Sequence, residues 1–312
     1  MLTIDININS IINQDPLCLT IGNFDGVHNG HKFVFDKLIT ESKKLNIPSA
    51  VLSFDPHPRQ FFEKNKQHFN IVTEDKKIKL IESLGIDIYY KLKFDNDVSS
   101  MSAEDFVNKF LVNSLKIKSL IIGENFRFGK NRNGDTGLLK ELSLEKKFSV
   151  HIINYIKSDS LNMIYSSSNI RESIKKSEFK KVSELLGRPW TISGFVKQGD
   201  KRAREMNFPT ANILAPNTIH PKNGVYAIKA IVDGEKYSGI ANFGRRPTFD
   251  GKKILLEVNI FNFNKEIYDK ELTVEFLEFI RNEIKFDNLE ELKLQVEKDV
   301  ETAKSFFLKK ID

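Results

Sequence analysis

The sequence of 312 residues has few of the features that mark secreted, membrane-spanning or metal-binding proteins. Cys18 is the only cysteine, which excludes an internal disulfide and disfavours a cysteine metal site. No apolar run approaches the roughly 20 residues that a bilayer requires. The first ten residues lack the basic start and apolar stretch of a secretory signal. These absences predict a cytoplasmic protein with no membrane partner.

The charge of the chain is basic but mixed. Its 48 Lys and Arg residues exceed its 42 Asp and Glu residues, which gives a formal net charge of +6. Such a surplus suits a nucleic acid or a small anionic substrate. However, basic and acidic residues are interspersed, as in EELKLQVEKDVETAKSFFLKK, and this is typical of a solvated surface. We therefore expect no nucleic-acid partner.

The chain is long enough for two domains, and its pattern changes once. Up to about residue 185, strand-like runs such as LCLTIG and PSAVLSF alternate with amphipathic helical stretches. One of these, SAEDFVNKFLVNSL, has Ser102 as its expected N-cap and apolar residues at Phe106, Phe110 and Leu111. This alternation predicts a Rossmann-like parallel sheet with helices on both faces. Beyond it, short β-rich runs separated by turn signals such as Asp233-Gly234 predict an antiparallel barrel. Apolar residues at helical spacing from Leu289 to Phe307 predict a terminal helix. We divide the chain into domains 1–184 and 185–312.

The stretch GNFDGVHNGHKFVFDKL, residues 22–38, joins a strand to a helix. Its glycines leave room for a ligand close to the backbone, and a helix N-terminus presents N–H groups suited to phosphate. His28 and His31 can donate further hydrogen bonds to phosphate oxygens. Such a site stabilises the charge that develops during attack on a nucleoside triphosphate. On the spacing alone, two unrelated surface histidines and a metal pair completed by Asp25 remain open alternatives.

Three later segments of this half carry further polar groups. SFDPHPRQFF holds His57 between two prolines, and GENFRFGKNRNGD holds Asn125 in a glycine-flanked loop. YSSSNIRESI holds Ser167, Ser168 and Arg171 where a helix is predicted to begin. Hydroxyls and a planar guanidinium suit phosphate, but helix capping by the serines is a competing explanation. A plain turn residue is the competing explanation for Asn125.

In the second half, GFVKQGDKRAREMNFPTANI mixes glycines with basic residues and ends in Pro-Thr-Ala-Asn. No P-loop motif occurs, yet such a loop can bind phosphate through backbone N–H groups. Thr210 and Asn212 share one side of an extended segment and carry oxygens suited to Mg²⁺. Glu257 interrupts the apolar strand ILLEVNIF, where a partly buried carboxylate with a raised pKa can accept a proton. The alternative for Thr210 and Asn212 is a pair of polar residues on the solvent-exposed face of a strand. The alternative for Glu257 is a glutamate on the solvent face of an edge strand.

These segments resemble two known enzyme modules. GNFDGVHNGH is similar to the G-x-F-D-G-V-H-x-G-H motif of the HxGH nucleotidyltransferases, in the form found in prokaryotic FAD synthetases, and the three later segments resemble that family's other motifs. The FPTAN segment, NGVYAIKA, GIANFGRRPTF and the strand around Glu257 resemble the riboflavin kinase module. Over nearly its whole length the chain therefore resembles the prokaryotic bifunctional riboflavin kinase/FMN adenylyltransferase family.

The resemblance implies two reactions that use ATP with Mg²⁺. Riboflavin and ATP give FMN and ADP, and FMN with a second ATP gives FAD and pyrophosphate. Glu257 is implied as the base of the kinase, and His28, His31 and Arg171 as the groups that stabilise charge in adenylyl transfer. The implied partners are riboflavin, FMN, FAD and ATP, with no obligate protein partner.

The resemblance also implies binding residues for each substrate. For adenylyl transfer, ATP contacts fall on Gly22, Phe24, Asp25, Gly26, Gly30, Asn125, Ser167 and Ser168, and FMN contacts on Asp55, His57 and Pro58. For the kinase, ATP contacts fall on Gly194, Lys197, Gly199, Pro209, Thr210 and Asn212, with the metal on Thr210 and Asn212 and the flavin on Arg281.

Four positions depart from the kinase family. Ala203 and Asn207 stand where glycines are usual, so the loop can close differently and kinase efficiency is left open. Asn259 replaces a histidine and Asp269 a glycine of many members.

Two alternative functions remain. The first half could adenylylate another phosphorylated substrate beside a poor or inactive kinase. An RNA-binding protein would need exposed aromatic side chains on the barrel, and alternation places in the core most of the candidates Phe195, Phe243, Phe249, Phe261 and Phe263.

Overall fold

The computed structural model describes residues 1–10, 15–63, 68–197, 208–248 and 251–309, without the side chains of 245–248 and 251–253. The chain divides into two compact units, Met1–Ser167 and Ser168–Asp312. The sequence-based division between residues 184 and 185 concerns the two activities and stays a prediction. Among the described helices, none is both long enough and apolar enough to cross a membrane.

The first unit contains a parallel sheet, as predicted. It has six strands in the order β1-β4-β3-β2-β5-β6. Its strands are β1 (Leu2–Ile6), β2 (Leu17–Ile21), β3 (Ser49–Asp55), β4 (Ile88–Lys93), β5 (Ile117–Gly123) and β6 (Ser149–Ile153). Its helices include α1 (Asn29–Leu45), α2 (Pro58–Phe62), α3 (Glu74–Glu82), α4 (Asn96–Ser100), α5 (Ala103–Asp105) and α6 (Thr136–Lys146). A small hairpin, β7 (Lys157–Ser158) and β8 (Met163–Ile164), follows.

The helix predicted after Ser102 begins as expected and then departs from α-helical geometry. The Ser102 Oγ accepts from the Asp105 N–H at 3.0 Å, the predicted N-cap. From Phe106 to Ser114 the chain forms a π-helix. Its i→i+5 bonding lets Phe106 and Leu111, five residues apart, face the same way, and both are buried. The helical segment and its buried apolar positions were predicted, whereas its π-helical bonding was not.

Helices cover both faces of the sheet. Val51, Tyr89 and Ile121 pack with Phe35 of α1 and Ile81 of α3 on one face. Leu19, Leu52 and Leu120 of the other face pack in one cluster with Phe110 and Leu111 of the π-helix. The sheet is therefore buried on both sides, as a parallel sheet requires.

The single cysteine lies within this core. Cys18 is fully buried in β2, and burial, followed by the charge of Glu41, raises the pKa of its thiol to about 11. Because the thiolate is the reactive form, we expect iodoacetamide to leave Cys18 unmodified in the folded protein at mildly alkaline pH and to alkylate it in concentrated urea. Mass spectrometry measures both; rapid alkylation of the folded chain would contradict this expectation.

The second unit is built around a closed antiparallel barrel in the order β10-β13-β12-β11-β14-β9. Its strands are β9 (Trp190–Lys197), β10 (Ala211–Leu214), β11 (Gly224–Val232), β12 (Glu235–Thr248), β13 (Gly251–Ile260) and β14 (Glu271–Asn282). Three helices are α7 (Ser167–Lys176), which starts at the end of the first unit, α8 (Phe179–Leu186) and α9 (Leu289–Leu308). Asp233 and Gly234 both have positive φ and form the predicted tight hairpin turn between β11 and β12.

The predicted terminal helix packs on the outside of the barrel. Val225 and Ala227 of β11 and Ile240 of β12 form one cluster with Ala303 of α9. Successive residues of a strand point to opposite faces, so the partners of Val225 and Ala227 across the ladders also face outward. This outer face carries the polar residues of the candidate kinase site.

Candidate active sites

His28 and His31 cap the N-terminus of α1 by reciprocal hydrogen bonds. The His28 Nδ1 accepts from the His31 N–H at 3.3 Å, and the His31 Nδ1 accepts from the His28 N–H at 3.4 Å. Their rings stack with centroids 3.5 Å apart. With Nδ1 accepting, a neutral ring carries its proton on Nε2. The cap therefore orients Nε2–H as the group that can donate to an anion.

Close packing explains the small residues around this pair. A Cβ on Gly30 would lie 2.9 Å from Tyr165 Cβ and 3.1 Å from His28 Cε1. Gly26 has a φ of +86°, which side chains rarely adopt. The rings of Phe24 and His31 are nearly perpendicular, with their centroids 5.2 Å apart. A side chain at Gly26 or Gly30 would thus displace the loop or the histidines.

The Asp25 carboxylate accepts hydrogen bonds from the backbone of the protein. Both oxygens accept from the N–H of Ile71, at 2.9 and 3.0 Å, and the side chain is buried. The Asp25 carbonyl accepts from the Ser167 hydroxyl at 2.9 Å. No cluster of three or more His, Cys, Asp or Glu side chains within the described part of the chain could hold a metal. The geometry thus gives Asp25 a role in holding the loop and joins Ser167 to it.

The other predicted residues of this half lie at the same end of the sheet. β3, β2 and β5 are neighbours; Asp55 is the last residue of β3, and the histidine loop and Asn125 follow the carboxyl ends of β2 and β5. His57 caps α2 through its Nδ1, which accepts from the Arg59 N–H at 3.1 Å, and Pro58 is the first residue of that helix. Ligands of parallel sheets bind at this end.

Asp55 lies beside a cavity at the sheet edge. The cavity has a volume of about 360 Å³ and is lined by Asp5, Ile6, Asn7, Asp55, Lys91 and Lys93. Lys91 Nζ lies 2.7 Å from Asp5 Oδ1 and 3.8 Å from Asp55 Oδ2, and its hydrogen bond to Asp5 raises its pKa.

Ser168 and Arg171 lie on α7, with Arg171 one turn after Ser167 on the same side of the helix. Ser168 is exposed and Arg171 half-buried. Their predicted contacts with ATP stay predictions.

Sequence reasoning missed a buried polar cluster beneath the histidine loop. Lys77 of α3 is 6% exposed, and its Nζ donates to the Ser53 hydroxyl at 2.9 Å and the Asn23 carbonyl at 3.4 Å. The Glu74 carboxylate lies 2.8 Å from the same Nζ and accepts from the Tyr89 hydroxyl at 2.7 Å. The usable signal was a lysine on the apolar face of a helix: Lys77 lies one turn before the buried Ile81, on the same side of α3.

Replacing Lys77 tests whether this cluster holds the loop. Lys77→Met should lower the free energy of unfolding by about 2 kcal/mol, less than for a fully buried pair because Glu74 is about one-third exposed. Urea unfolding followed by circular dichroism should show a midpoint about 1 M lower. Lys79→Met, on the exposed side of α3, is the matched control and should change little. Equal midpoints for both variants would contradict the assigned role.

In the barrel, the ladders bring Glu257 between two asparagines. Asn212 of β10 is paired directly with Glu257 of β13, and Asn242 of β12 is paired with Glu257 from the other side. Directly paired residues share a face, so the three side chains form one row. Asn212 is 6% exposed, and Glu257 is half-buried. Asn242 was not predicted; only the register of β12 on β13 reveals it.

The same row continues around the barrel. Lys197 of β9 is paired with Asn212, Asn242 with Val225, and Val225 with Arg281 of β14. Because Val225 packs with α9, the row lies on the outer face. Four predicted kinase residues, Lys197, Asn212, Glu257 and Arg281, therefore lie in one register row around the barrel; Lys197, Asn212 and Glu257 are on neighbouring strands, and Arg281 is three strands from Glu257.

Arg281 is tied to the terminal helix. Its Nε and Nη2 donate to the two carboxylate oxygens of Asp299 at 2.8 and 2.6 Å, and Asp299 is buried. Gln295 also donates to Asp299, at 2.9 Å. The guanidinium therefore fixes α9 to β14. A flavin contact through Arg281 stays a prediction.

The remaining kinase predictions fall at the end of β9 and the start of β10. A Cβ on Gly194 would lie 2.3 Å from Ile213 Cγ2, so glycine permits these strands to pack. Thr210 is half-buried and Pro209 exposed. Gly199, Ala203 and Asn207 lie outside the described residues. Asp269 has a φ of +57°, a conformation that glycine adopts without strain and that fits the glycine implied by the resemblance.

The aromatic residues weighed for RNA binding are distributed unevenly. Phe243 is buried, Phe261 and Phe263 are half-buried, and Phe195 is 61% exposed. Phe249 lies outside the described residues.

Comparison with known proteins matches both units. A family model described as FAD synthetase matches residues 10–168, and one described as riboflavin kinase matches residues 186–307. A bifunctional riboflavin kinase/FMN adenylyltransferase from Haemophilus influenzae is 41% identical over 93% of this chain and 94% of its own length. One from Escherichia coli K12 is 35% identical over 94% of both chains. The chain belongs to the bifunctional riboflavin kinase/FMN adenylyltransferase family.

A solved structure shares the fold. A crystal structure described as a macrolide-efflux protein from Streptococcus pneumoniae is 28% identical, with a TM-score of 0.86, over 97% of this chain and 99% of that one. The likeness extends over both units of the chain.

Proposed function

We propose that this chain catalyses two consecutive reactions: ATP-dependent phosphorylation of riboflavin to FMN in the barrel, and adenylylation of FMN to FAD in the parallel-sheet unit. The observation that carries this proposal is the match of one chain, in order, to a FAD synthetase model and a riboflavin kinase model. The proposal includes a cytoplasmic location, which suits a chain whose single cysteine is a buried thiol. It includes no nucleic acid, membrane or obligate protein partner.

In adenylyl transfer, a 5′-phosphate oxygen of FMN attacks the α-phosphorus of ATP. The bond to the oxygen that bridges the α- and β-phosphates breaks, and pyrophosphate leaves. The nucleophile is already ionised, so positioning and charge stabilisation carry the reaction. His28 and His31 donate from Nε2, and Arg171 from its guanidinium, to the charged oxygens. His28 is buried and His31 is half-buried, which limits competition from water.

In the kinase, the ribityl 5′-hydroxyl oxygen attacks the γ-phosphorus of ATP. Its proton passes to the Glu257 carboxylate, the bond to the oxygen that bridges the β- and γ-phosphates breaks, and ADP leaves. The direct pairing of Glu257 with Asn212 supports this assignment, because it brings the base beside a group proposed to bind the nucleotide.

Thr210 and Asn212 fit the magnesium ion that the kinase is proposed to use. Both supply oxygen donors, and the Asn212 side chain is buried beside Glu257 in the register row. Mg²⁺ usually takes one or two protein oxygens together with substrate phosphates. When bound, the ion neutralises charge on the transferred phosphoryl group.

One assay tests the whole proposal. The purified chain is incubated with riboflavin, ATP and Mg²⁺, and the flavins are separated by chromatography. We expect FMN to appear first and FAD to follow, and EDTA to stop both. Absence of both products would refute the proposal. Formation of FAD from FMN but not from riboflavin would restrict the function to the transferase.

A further inference from the structure

Thr210 lies just outside the backbone ladder between β10 and β13, because the last paired residue is Ala211, which follows it in the chain. β10 pairs with β13 from Leu214 to Ala211, where the pairing ends. Pro209, one residue before Thr210, has no N–H and cannot extend a ladder. The position of the Thr210 hydroxyl therefore depends on what holds the backbone on its other side.

The side chain of Asn259 holds that backbone. Its Nδ2 donates to the Pro209 carbonyl oxygen at 2.8 Å, although 50 residues separate the two along the chain. Asn259 is 8% exposed, so the donor side of this bond is shielded from water, whereas Pro209 is exposed. It lies two residues after Glu257 on β13, and the two side chains share a face of the strand.

We infer that Asn259 is a positioning residue of the kinase, which fixes Thr210 relative to Glu257. This inference rests on the proposed kinase function. The segment is attached to β13 in two places: by the β10–β13 ladder, which ends at Ala211 and includes the pair Asn212–Glu257, and by the bond from Asn259 to Pro209. They lie on either side of Thr210. Without the bond from Asn259 to Pro209, Thr210 is no longer held in place, whereas Glu257 stays in its strand. MgATP binding is therefore weakened more than proton transfer to Glu257.

The chemistry at position 259 makes the inference specific. A carbonyl oxygen only accepts hydrogen bonds, so residue 259 must donate. Histidine also carries a ring N–H and can therefore donate. Aspartate has nearly the shape of asparagine but, when ionised, offers only acceptors and repels the carbonyl. Three substitutions thus separate donor chemistry from side-chain size.

The test compares Asn259→Asp, Asn259→Ala and Asn259→His in the full chain. We expect the KM for MgATP in FMN formation to rise about tenfold in the Asp variant and about fivefold in the Ala variant. The Mg²⁺ concentration for half-maximal rate should rise with it, while kcat changes less. The His variant should stay within about threefold of the wild type. Asn262→Asp, an exposed position just after β13, is the matched charge control and should behave as wild type.

Two further readouts separate positioning from damage to the fold. Trp190, the only tryptophan, is buried in the barrel, so its fluorescence reports barrel unfolding in urea. FAD formation from FMN by the same preparations reports the other site. An unchanged KM and Mg²⁺ requirement in the Asp and Ala variants, with wild-type FMN formation intact, would overturn the inference alone. A wild type that forms no FMN would overturn it together with the kinase proposal. Loss of activity only in proportion to barrel unfolding would also overturn it.

Discussion

Glu257→Gln is expected to reduce FMN formation from riboflavin by about 10²- to 10⁴-fold, the range that a general base contributes. Glutamine keeps the size of the side chain and its place between Asn212 and Asn242, but it cannot take the ribityl proton. The KM for ATP should change little, because the nucleotide-binding groups remain. Steady-state FMN formation, followed by chromatography, measures both constants.

The same preparation supplies a control for the Glu257 variant. Conversion of added FMN to FAD should continue at the wild-type rate, because the residues assigned to it lie in other segments. Glu275→Gln is the matched second control: Glu275 is also a barrel glutamate with low exposure, but it pairs with Lys236 at 2.8 Å. It should retain most of the kinase activity. Loss of both reactions in Glu257→Gln would argue against separate sites.

Periodicity was sufficient to predict both architectures, and its failures have physical causes. The parallel sheet follows from apolar strands such as β2, which is buried throughout. β1 was missed because it is a short edge strand with mostly exposed or half-buried residues and weak apolar character. The π-helix was missed because i+4 and i+5 spacings share apolar positions such as Phe106, Phe110 and Leu111.

In the candidate sites, features formed by residues close in sequence could be predicted, and contacts between distant segments could not. Local features, such as the placement of His28 and His31 at the start of a helix, could be predicted because the residues are three apart. The contacts of Lys77 with Asn23 and of Asn259 with Pro209 span 54 and 50 residues. No sequence pattern reports such a pair, since each depends on the register of separate strands and helices. Asn242 was hidden for the same reason.

His31→Ala is expected to reduce FAD formation from FMN by about 10²- to 10³-fold, the cost of removing one donor to developing charge. The substitution deletes the Nε2 donor, the stacking partner of His28 and half of the cap on α1. A rate of FAD formation close to wild type would remove His31 from the proposed mechanism. Riboflavin phosphorylation by the same preparation should be unchanged.

The remaining question for His31→Ala is whether lost capping alone could explain the result. Loss of a cap costs about 1 kcal/mol of stability, which leaves a stable unit almost fully folded. Asp95→Ala provides the matched comparison, because the Asp95 carboxylate caps α4 by accepting from the N–H groups of Asp97 and Val98. If both variants lowered FAD formation equally, the effect would belong to helix stability. A deficit confined to His31→Ala would assign it to the imidazole, since both variants lose a cap and only one loses a phosphate donor.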